Sequence, residues 1–326
     1  MTEEIMGEAP EYGREAGVMD MADSREARAA RQAELLREHG GCLVSLTMNV
    51  AGPVKLNPDV ARAFHEGVRM LRDALAAHRL EVIYEEARLP FTGPEAFLCV
   101  RADAAAVKRL ACAMEERDAL GRLLDADVLR ADGEKVSRAE IGLPPRRCLV
   151  CGGPAAPCAA GRRHPAAEVF QKALDIIRAH FAAKFADDTA SLAVRALLYE
   201  LAVTPKPGLV DRANSGSHPD MDFFHFTASA AALFPYFRTC AALGMEHGAT
   251  AECFARLTTE GALAEGAMLR ATGGVNTHKG AIFTLGILCA AAGSLHGAGE
   301  PLTPGGLSAA SARMTARALE EERAGA

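Results

Sequence analysis

The stretch EVIYEEARLPFTGPEAFLCVRA, residues 81–102, decides the fold of the first half of the chain. Its two apolar segments, EVIYEEA (81–87) and EAFLCVRA (95–102), have the composition of β-strands and lie on either side of a Thr-Gly-Pro turn. The stretch therefore predicts two consecutive strands with no helix between them.

Further strands and helices are predicted on both sides of this pair. CLVSLTMNV (42–50) and LLDADVL (123–129) predict the first and last strands. Apolar residues recur three and four positions apart before and after the central pair, which predicts a helix on each side. These apolar positions are Val60, Phe64, Val68, Leu71 and Leu75, and then Val107, Leu110, Ala111 and Met114. The order β-α-β-β-α-β is typical of the α+β ferredoxin-like fold, a sheet with helices on one face.

Composition divides the rest of the chain. Residues 1–23 are acidic and predict a disordered tail, not a signal peptide. A helix from Ser24 to His39 opens a domain of residues 24–143, and the Pro-, Gly-, Cys- and Arg-rich residues 144–165 predict a small irregular module. Residues 166–326 predict an all-α domain. Its helices are expected at about 166–185, 188–203, 222–243, 250–271, 278–293 and 305–323.

Charge and cysteine content exclude several classes of protein. The net charge of −6 disfavours a nucleic-acid binder, and aromatic residues for base stacking make up only 5% of the 326 residues. No run approaches the roughly 20 apolar residues of a membrane span. Nine cysteines without an export signal favour a reducing, cytoplasmic compartment, with the cysteines as thiols or metal ligands.

The last predicted strand carries two carboxylates. Asp125 and Asp127 lie two residues apart, so strand alternation places both on one face and the apolar Leu124, Ala126 and Val128 on the other. Two neighbouring carboxylates suit Mg²⁺, which prefers oxygen ligands and substrate phosphates and supports phosphoryl or nucleotidyl transfer. The alternative is an exposed strand face with solvated aspartates.

The irregular module contains the pattern C-x2-C-x6-C-x5-H. Cys148, Cys151, Cys158 and His164 would form a complete tetrahedral shell for a structural Zn²⁺. A redox pair at Cys148 and Cys151, or four unrelated residues with free thiols, are the alternatives. The flanking arginines are either a solvated surface or a docking site for a triphosphate or an acidic partner. They are Arg146, Arg147, Arg162 and Arg163.

Four separated motifs resemble the citrate lyase holo-acyl-carrier-protein synthase family. They are LVSLTMNVAGPVK (43–55), TGPEA (92–96), GRLLDADV (121–128) and RRCLVCGGPAAPCAAGRRH (146–164). The resemblance implies transfer of phosphoribosyl-dephospho-CoA from its triphosphate form to a serine of the citrate lyase acyl carrier (gamma) subunit, with release of pyrophosphate. In that reaction Asp125 and Asp127 would hold Mg²⁺, and Lys55 and Arg122 would contact phosphates. His65 is a candidate general base, with a surface histidine as the alternative.

Two later motifs resemble triphosphoribosyl-dephospho-CoA synthases, which join ATP to dephospho-CoA and release adenine. They are LLYELAVTPKPGLVDRANSGSHPDMDFF (197–224) and TGGVNTHKGAIFTLG (272–286). The chain thus resembles a fusion of two families with consecutive activities. Members of the second family continue past the end of this chain and the matching helices end near Gly293. We therefore expect an incomplete second domain with little synthase activity.

The first of these motifs contains a polar loop, Thr204–Asp222, between apolar helices. Pro205 and Pro207 are expected to end one helix, and Asp222 to cap the next. For the synthase reaction, cations would bind phosphates, aspartates would bind a metal, and the Gly-Gly turn before a helix would favour an anion. The alternative for that turn is an ordinary helix-capping loop. The expected substrate-binding residues are Lys206, Asp211, Arg212, His218, Asp220, Asp222, Gly273, Gly274, Asn276, His278 and Lys279.

Two other functions remain open at this point. Maturation of malonate decarboxylase would use the same prosthetic group, and the cysteine module favours citrate lyase only by resemblance. A non-catalytic scaffold could instead dock the carrier protein through the arginine-rich module. Small-molecule nucleotides and the carrier subunit are the expected partners, with no nucleic acid and no membrane.

Overall fold

In the computed structural model, which describes residues 9–325 and their side chains as far as residue 316, the four predicted strands form one antiparallel sheet. The sheet order is β2-β3-β1-β4, so β4 is an edge strand. The strands are β1 (Cys42–Met48), β2 (Glu81–Arg88), β3 (Glu95–Arg101) and β4 (Leu124–Leu129). The chain is therefore a mixed α/β protein with a small sheet.

Three helices cover this sheet: α1 (Val18–His39), α2 (Pro58–Ala77) and α3 (Ala104–Arg117). The α2 helix begins where Asn57 accepts a hydrogen bond from the Val60 N–H, and α3 begins where Asp103 accepts one from the Ala106 N–H. Side chains of both helices pack on the strand face that carries Leu124. A Cβ on Gly67 of α2 would lie 2.5 Å from a methyl carbon of Leu124, so glycine permits this close approach.

The expectation that helices cover only one face of the sheet is wrong. Leu35 and Leu36 of α1 are buried against Leu43, Phe97 and Cys99, which face away from α2 and α3. The α1 helix also begins at Val18, before the predicted start at Ser24, because nothing between these positions breaks a helix. Residues 9–17 of the predicted disordered tail form neither helix nor strand, and residues 1–8 lie outside the described residues.

The chain divides into two units between His180 and Phe181. Every described element from Phe181 onwards is a helix. The remaining helices are α4 (Ala155–Ala160), α5 (Ala166–Ala202), α6 (Phe223–Ala232), α7 (Phe234–His247), α8 (Ala251–Ala271), α9 (Lys279–Gly297) and α10 (Pro304–Gly325).

Two predicted helix boundaries are wrong. The helices predicted at 166–185 and 188–203 are one helix, α5, because the intervening Asp187 and Asp188 lower helix propensity only slightly and no Gly or Pro is present. The helix predicted at 222–243 is instead two, α6 and α7, with the break at Leu233. Pro235 lies in the first turn of α7, where its missing N–H is tolerated.

The α9 helix modifies the expectation about membrane spans. By length and composition it is apolar enough to cross a membrane, contrary to the expectation from apolar runs. Its residues Ile282, Ala290, Ala291 and Leu295 are buried within the second unit. Burial in a core accounts for the apolar character of these four residues.

Candidate functional site

The strand β4 presents the two predicted carboxylates on one face. Leu124, Ala126 and Val128 are fully buried, whereas Asp125 and Asp127 alternate with them and are partly exposed. The two aspartates pair with Thr47 and Ser45 of β1, so they lie on the face that α1 partly covers. The predicted strand alternation is thereby confirmed.

Side chains of α3 fix the edge strand between the two aspartates. The backbone N–H of Ala126 donates to Glu115 Oε1 at 2.9 Å, and its carbonyl accepts from Lys108 Nζ at 2.7 Å. Burial raises the pKa of Glu115, and Arg138 approaches its second oxygen at 3.0 Å. These bonds satisfy the backbone groups that an edge strand leaves unpaired, and so hold Asp125 and Asp127 in place.

Each aspartate has a basic partner. Arg146 Nη1 donates to Asp125 Oδ1 at 2.9 Å, and Lys135 Nζ lies 2.5 Å from Asp127 Oδ1. The side chains of Asp125 and Asp127 remain 40% and 33% exposed. Neither Oδ2 atom has a hydrogen bond within the described part of the chain, so one oxygen of each carboxylate is available to a cation.

Lys55 and Arg122, the predicted phosphate contacts, hydrogen-bond to backbone carbonyls. Lys55 Nζ donates to the Val50 carbonyl at 2.6 Å, and burial lowers the pKa of Lys55, as does nearby Arg25. Arg122 Nη2 donates to the carbonyls of Arg147 and Cys148 at 3.2 and 3.1 Å. In residues 9–316 neither side chain hydrogen-bonds to Asp125 or Asp127.

The four residues of the cysteine module converge. The ligand atoms of Cys148, Cys151, Cys158 and His164 all lie within 4.8 Å of one another, and the Sγ atoms of Cys151 and Cys158 are 3.5 Å apart. His164 Nε2 is buried without a hydrogen-bond partner among the described residues. The chain folds this way because Gly152 adopts a positive φ of 71° and the short helix α4 returns Cys158 to the first two cysteines.

The local environment shifts the pKa values of two of these thiols in opposite directions. The Gly153 N–H, then His164 and the two neighbouring thiols, lower the pKa of Cys151 to about 6. The neighbouring Cys151 raises the pKa of Cys158 to about 11. Three sulfur atoms and one imidazole at this spacing form a donor set that could hold a metal ion.

A cavity of about 680 Å³ lies beside the cluster. Asn49 at the end of β1, the arginine-rich residues 146–150 and the start of α5 form its walls. Cys148, Cys158 and His164 also line it. A second cavity of about 850 Å³ is lined by His65, Arg88 and Glu95, among others. His65, the candidate base, therefore lies in a different cavity from the cysteine cluster.

In the second unit, Asp211 organises the polar loop Thr204–Asp222. It is 2% exposed and accepts backbone hydrogen bonds from Ala213, Asn214 and Lys206 at 2.7, 3.0 and 3.0 Å. The Ala213 N–H, with that of Lys206, lowers the pKa of Asp211. Lys206 Nζ bonds Glu200 at 2.9 Å. Asp211 thus holds the loop itself, which the sequence did not indicate.

Asp222 caps α6, as predicted. It accepts hydrogen bonds from the N–H groups of Phe224 and His225 at 2.9 and 3.0 Å. The bond from the His225 N–H makes the largest contribution to lowering the pKa of Asp222. Arg212 and Asp220 are exposed, and His218 is half-buried. These three side chains are presented along the same loop.

The predicted Gly-Gly turn lies before α9. Gly273 and Gly274 both adopt positive φ angles, 64° and 96°, which explains why glycine is needed there. Asn276 Oδ1 accepts the Lys279 N–H at 3.3 Å, so Asn276 caps the helix, and Lys279 Nζ bonds Glu265 at 2.8 Å.

His278 links this turn to α6, the helix that follows the polar loop. It is buried, and its Nδ1 lies 2.7 Å from Ser229 Oγ of α6. Burial lowers the pKa of His278 to about 4, with Glu200 opposing that effect and Lys206 adding to it. The structure therefore places His278 against Ser229 and Phe226 of α6, the helix that follows the polar loop.

Sequence reasoning missed Glu115 and Lys135. Glu115 belongs to the apolar pattern of a helix, and nothing local shows that it reaches Ala126. For Lys135 a signal exists, since Asp132-Gly133 is a frequent turn pair that returns the chain along the strand it follows. Leu129 and Lys135 indeed form a bridge, which carries Lys135 back beside Asp127.

Two family models match the chain. ATP:dephospho-CoA triphosphoribosyl transferase matches residues 186–325. In that region the chain is 49% identical over 133 residues to a probable 2-(5''-triphosphoribosyl)-3'-dephosphocoenzyme-A synthase of Albidiferax ferrireducens, covering 40% of this chain and 44% of that protein. The other model, apo-citrate lyase phosphoribosyl-dephospho-CoA transferase, matches residues 17–180.

Relatives with both regions are also found. Protein CitXG of Haemophilus influenzae is 36% identical over 277 residues, 84% of this chain and 59% of that protein, so the chain spans about three fifths of its length. An apo-citrate lyase phosphoribosyl-dephospho-CoA transferase of Shigella boydii is 40% identical over 156 residues, which are 48% of this chain and 85% of that protein. The matched residues 17–180 contain β4 and the cysteine cluster, and the chain belongs to the apo-citrate lyase phosphoribosyl-dephospho-CoA transferase family.

Proposed function

We propose that the first unit transfers phosphoribosyl-dephospho-CoA from its triphosphate precursor to a serine of the citrate lyase acyl carrier (gamma) subunit. The observation that carries this proposal is the pair Asp125 and Asp127, side by side on the partly exposed face of an edge strand. This pair lies in the segment that matches the transferase family.

The architecture proposed for this unit is the ferredoxin-like fold. The element order β1-α2-β2-β3-α3-β4 and the sheet order β2-β3-β1-β4 support it. We further propose residues 24–143 as the transferase domain, 144–165 as the Cys/His module and 166–326 as an all-α domain, in a cytoplasmic protein.

The transfer is a displacement at the α-phosphorus of the donor. The serine Oγ of the carrier forms a new P–O bond, the bond to the leaving pyrophosphate breaks, and the serine proton passes to a base or to water. Lys55 and Arg122 would contact the donor's phosphates, once they exchange their present carbonyl acceptors for phosphate oxygens.

Asp125 and Asp127 fit a magnesium ion by their chemistry. Both supply carboxylate oxygens from one strand face, and each has one oxygen without a hydrogen bond in residues 9–316. Bound Mg²⁺ would neutralise negative charge on the donor's phosphates. Before Mg²⁺ binds, Arg146 and Lys135 offset the negative charges of Asp125 and Asp127.

The cysteine cluster fits a structural zinc ion. The mutual distances within 4.8 Å suit a tetrahedral shell whose Zn–S bonds are about 2.3 Å, and Nε2 of half-buried His164 has no hydrogen-bond partner among the described residues. Cys148, Cys151 and Cys158 would supply the other three positions. All four positions are then protein ligands, which favours a structural role.

For the second unit we propose binding of ATP and dephospho-CoA, the substrates of the synthase family that it matches. The contact between His278, which follows the Gly-Gly turn, and Ser229 of α6, which follows the polar loop, supports a site formed by the loop and the turn. The other residues proposed for it are Arg212, His218, Asp220, Asp222, Gly273, Gly274, Asn276 and Lys279, with Asp211 shaping the loop. Release of free adenine from ATP and dephospho-CoA measures whether the bound substrates react.

One experiment tests the transferase. The full chain is incubated with Mg²⁺, triphosphoribosyl-dephospho-CoA and the citrate lyase carrier subunit, and the carrier is weighed by mass spectrometry. We expect the carrier to gain the mass of one prosthetic group, and pyrophosphate to appear in equal amount. If the carrier is not modified, the proposed transferase activity is refuted, and the alternative of a non-catalytic scaffold that docks the carrier remains. Faster modification of a malonate decarboxylase carrier than of the citrate lyase carrier assigns the other target.

A further inference from the structure

The cavity beside the cysteine cluster carries charge of one sign. Four arginines line it: Arg122, Arg146, Arg147 and Arg162. No aspartate or glutamate is among the described residues of its walls. Four guanidinium groups around one space repel each other, so the cavity is electrostatically suited to an anion of high charge.

The four arginines differ in how they are held. Arg122 and Arg146 are anchored, since each donates to backbone carbonyls and Arg146 also bonds Asp125. The exposed side chains of Arg147 and Arg162 make no hydrogen bond or ion pair within residues 9–316. The uncommitted guanidinium groups of Arg147 and Arg162 are therefore available for bidentate contacts with phosphate.

The rest of the wall is apolar. Leu123, Leu149, Val150 and Val169 contribute to it, and its volume of about 680 Å³ is typical of sites for organic ligands. A simple inorganic anion would leave these side chains unused. An organic body joined to several phosphates would use both the arginines and the apolar walls.

We propose that this cavity binds an organic triphosphate ester, with Arg147 and Arg162 contacting its phosphate oxygens. Arg146 spans the cavity wall and Asp125, so the bound triphosphate lies next to the carboxylate pair. The identity of the ester, triphosphoribosyl-dephospho-CoA, rests on the proposed function. The charge pattern and its preference for polyphosphate are independent of it.

Binding of inorganic tripolyphosphate to the full chain tests the proposal by isothermal titration calorimetry. We expect Arg147→Gln and Arg162→Gln each to weaken binding about 10-fold, and the double variant about 100-fold, since each removes one charge-assisted contact. Arg163→Gln is the matched control, because Arg163 is adjacent in sequence but does not line the cavity. Its dissociation constant should stay within about twofold of the wild type.

Two further measurements keep the result unambiguous. Arg147→Lys, which retains the charge, should recover part of the lost affinity, and equal melting temperatures show that the variants fold. Unchanged affinity in the double variant, or an equal loss in Arg163→Gln, overturns the proposal. If the carrier is modified but the double variant keeps the donor KM, this site is wrong and the transferase stands. If tripolyphosphate binding is lost in the variants but no carrier is modified, the site stands and the proposed transferase fails.

Discussion

Asp127 and Asp211 are aspartates in opposite environments. The carboxylate of Asp127 is one-third exposed, meets a single lysine and keeps one oxygen without a hydrogen bond in the described part of the chain. That of Asp211 is enclosed by three backbone N–H groups of its own loop. The first is therefore suited to an external cation, and the second to holding the loop in shape.

Replacement of Asp127 tests its role in catalysis. We expect Asp127→Asn to lower the rate of carrier modification by about 100-fold or more, because an amide is a poor ligand for Mg²⁺. Intact-mass kinetics of the carrier at saturating Mg²⁺ give this rate. Lys135→Gln is the matched control. It removes the cation that pairs with Asp127 but keeps both carboxylates. Because a surface ion pair adds only about 0–1 kcal/mol to the stability of the fold, this variant should still fold. A fully active Asp127→Asn variant would rule out the metal pair.

The pH dependence of stability tests the role of Asp211. Its pKa is lower in the folded chain than in the unfolded chain, since backbone N–H groups stabilise its charged form. Its contribution is thus complete above the unfolded pKa of about 3.9 and is lost as pH falls through the folded pKa. We expect Asp211→Asn to lower the melting temperature at pH 7 and to flatten its decline below about pH 4.

Asp220→Asn serves as the comparison in this experiment. Asp220 is exposed on the same loop, and its side chain makes no hydrogen bond with any residue from 9 to 316. Its melting curve should therefore follow that of the wild type across the whole pH range. If the melting temperatures of the Asp211 variant and the wild type decline in parallel below pH 4, ionisation of Asp211 does not contribute to the pH dependence of stability.

At the scale of elements, the module 144–165 has little regular structure to hold it. It contains only the six-residue helix α4 and an isolated bridge between Arg147 and Pro154. Backbone hydrogen bonds join its two halves, such as that from the Ala155 N–H to the Arg146 carbonyl, and the cluster of Cys148, Cys151, Cys158 and His164 joins them through side chains. A bound metal would add folding energy to the module.

Metal analysis tests this connection. We expect about one zinc per chain in freshly purified protein and much less than one in Cys158→Ser. Removal of the metal by a chelator should lower the melting temperature of the first unit. Cys112→Ala, which changes a buried cysteine of α3 outside the cluster, should retain its zinc. A wild-type protein that purifies without zinc and binds none on addition would contradict the assignment.

At the scale of the whole molecule, the two units have separate cores. In the second unit α7 and α9 pack closely through glycines, since a Cβ on Gly244 would collide with the backbone of Ala290 and one on Gly293 with that of Ala241. The core around them contains Phe237, Cys240 and Met268. Such a contact tolerates no added methyl group without movement of a helix.

Calorimetry can separate the two cores. We expect Gly244→Ala to lower the free energy of unfolding of the second unit by about 1–3 kcal/mol, the usual effect of overpacking. Cys158→Ser should lower the free energy of unfolding of the first unit. The double variant should show both effects additively. Gly280→Ala, where no atom lies within 4 Å of the added Cβ, should leave both transitions at or slightly above wild-type temperatures. A shift of the same transition by both variants would refute separate unfolding.

Much of the site could be predicted from patterns that are local. Alternation along a strand placed Asp125 and Asp127 together, and the short spacing of the cysteine motif brought its four residues within reach of one another. Helix capping by Asp222 and the turn at Gly273-Gly274 are equally local. In each case a few neighbouring residues set the geometry through backbone dihedral angles and periodicity.

By itself, the sequence determined the order of strands and helices in residues 24–143, the carboxylate pair, the cysteine motif and the family. Only the tertiary structure decided which distant groups meet these residues: Arg146 at Asp125, Glu115 behind β4, and Ser229 at His278. It also decided that α1 covers the second face of the sheet and that four arginines line one cavity. Such contacts join residues far apart along the chain, and their partners are selected by packing and charge in three dimensions, which periodicity does not encode.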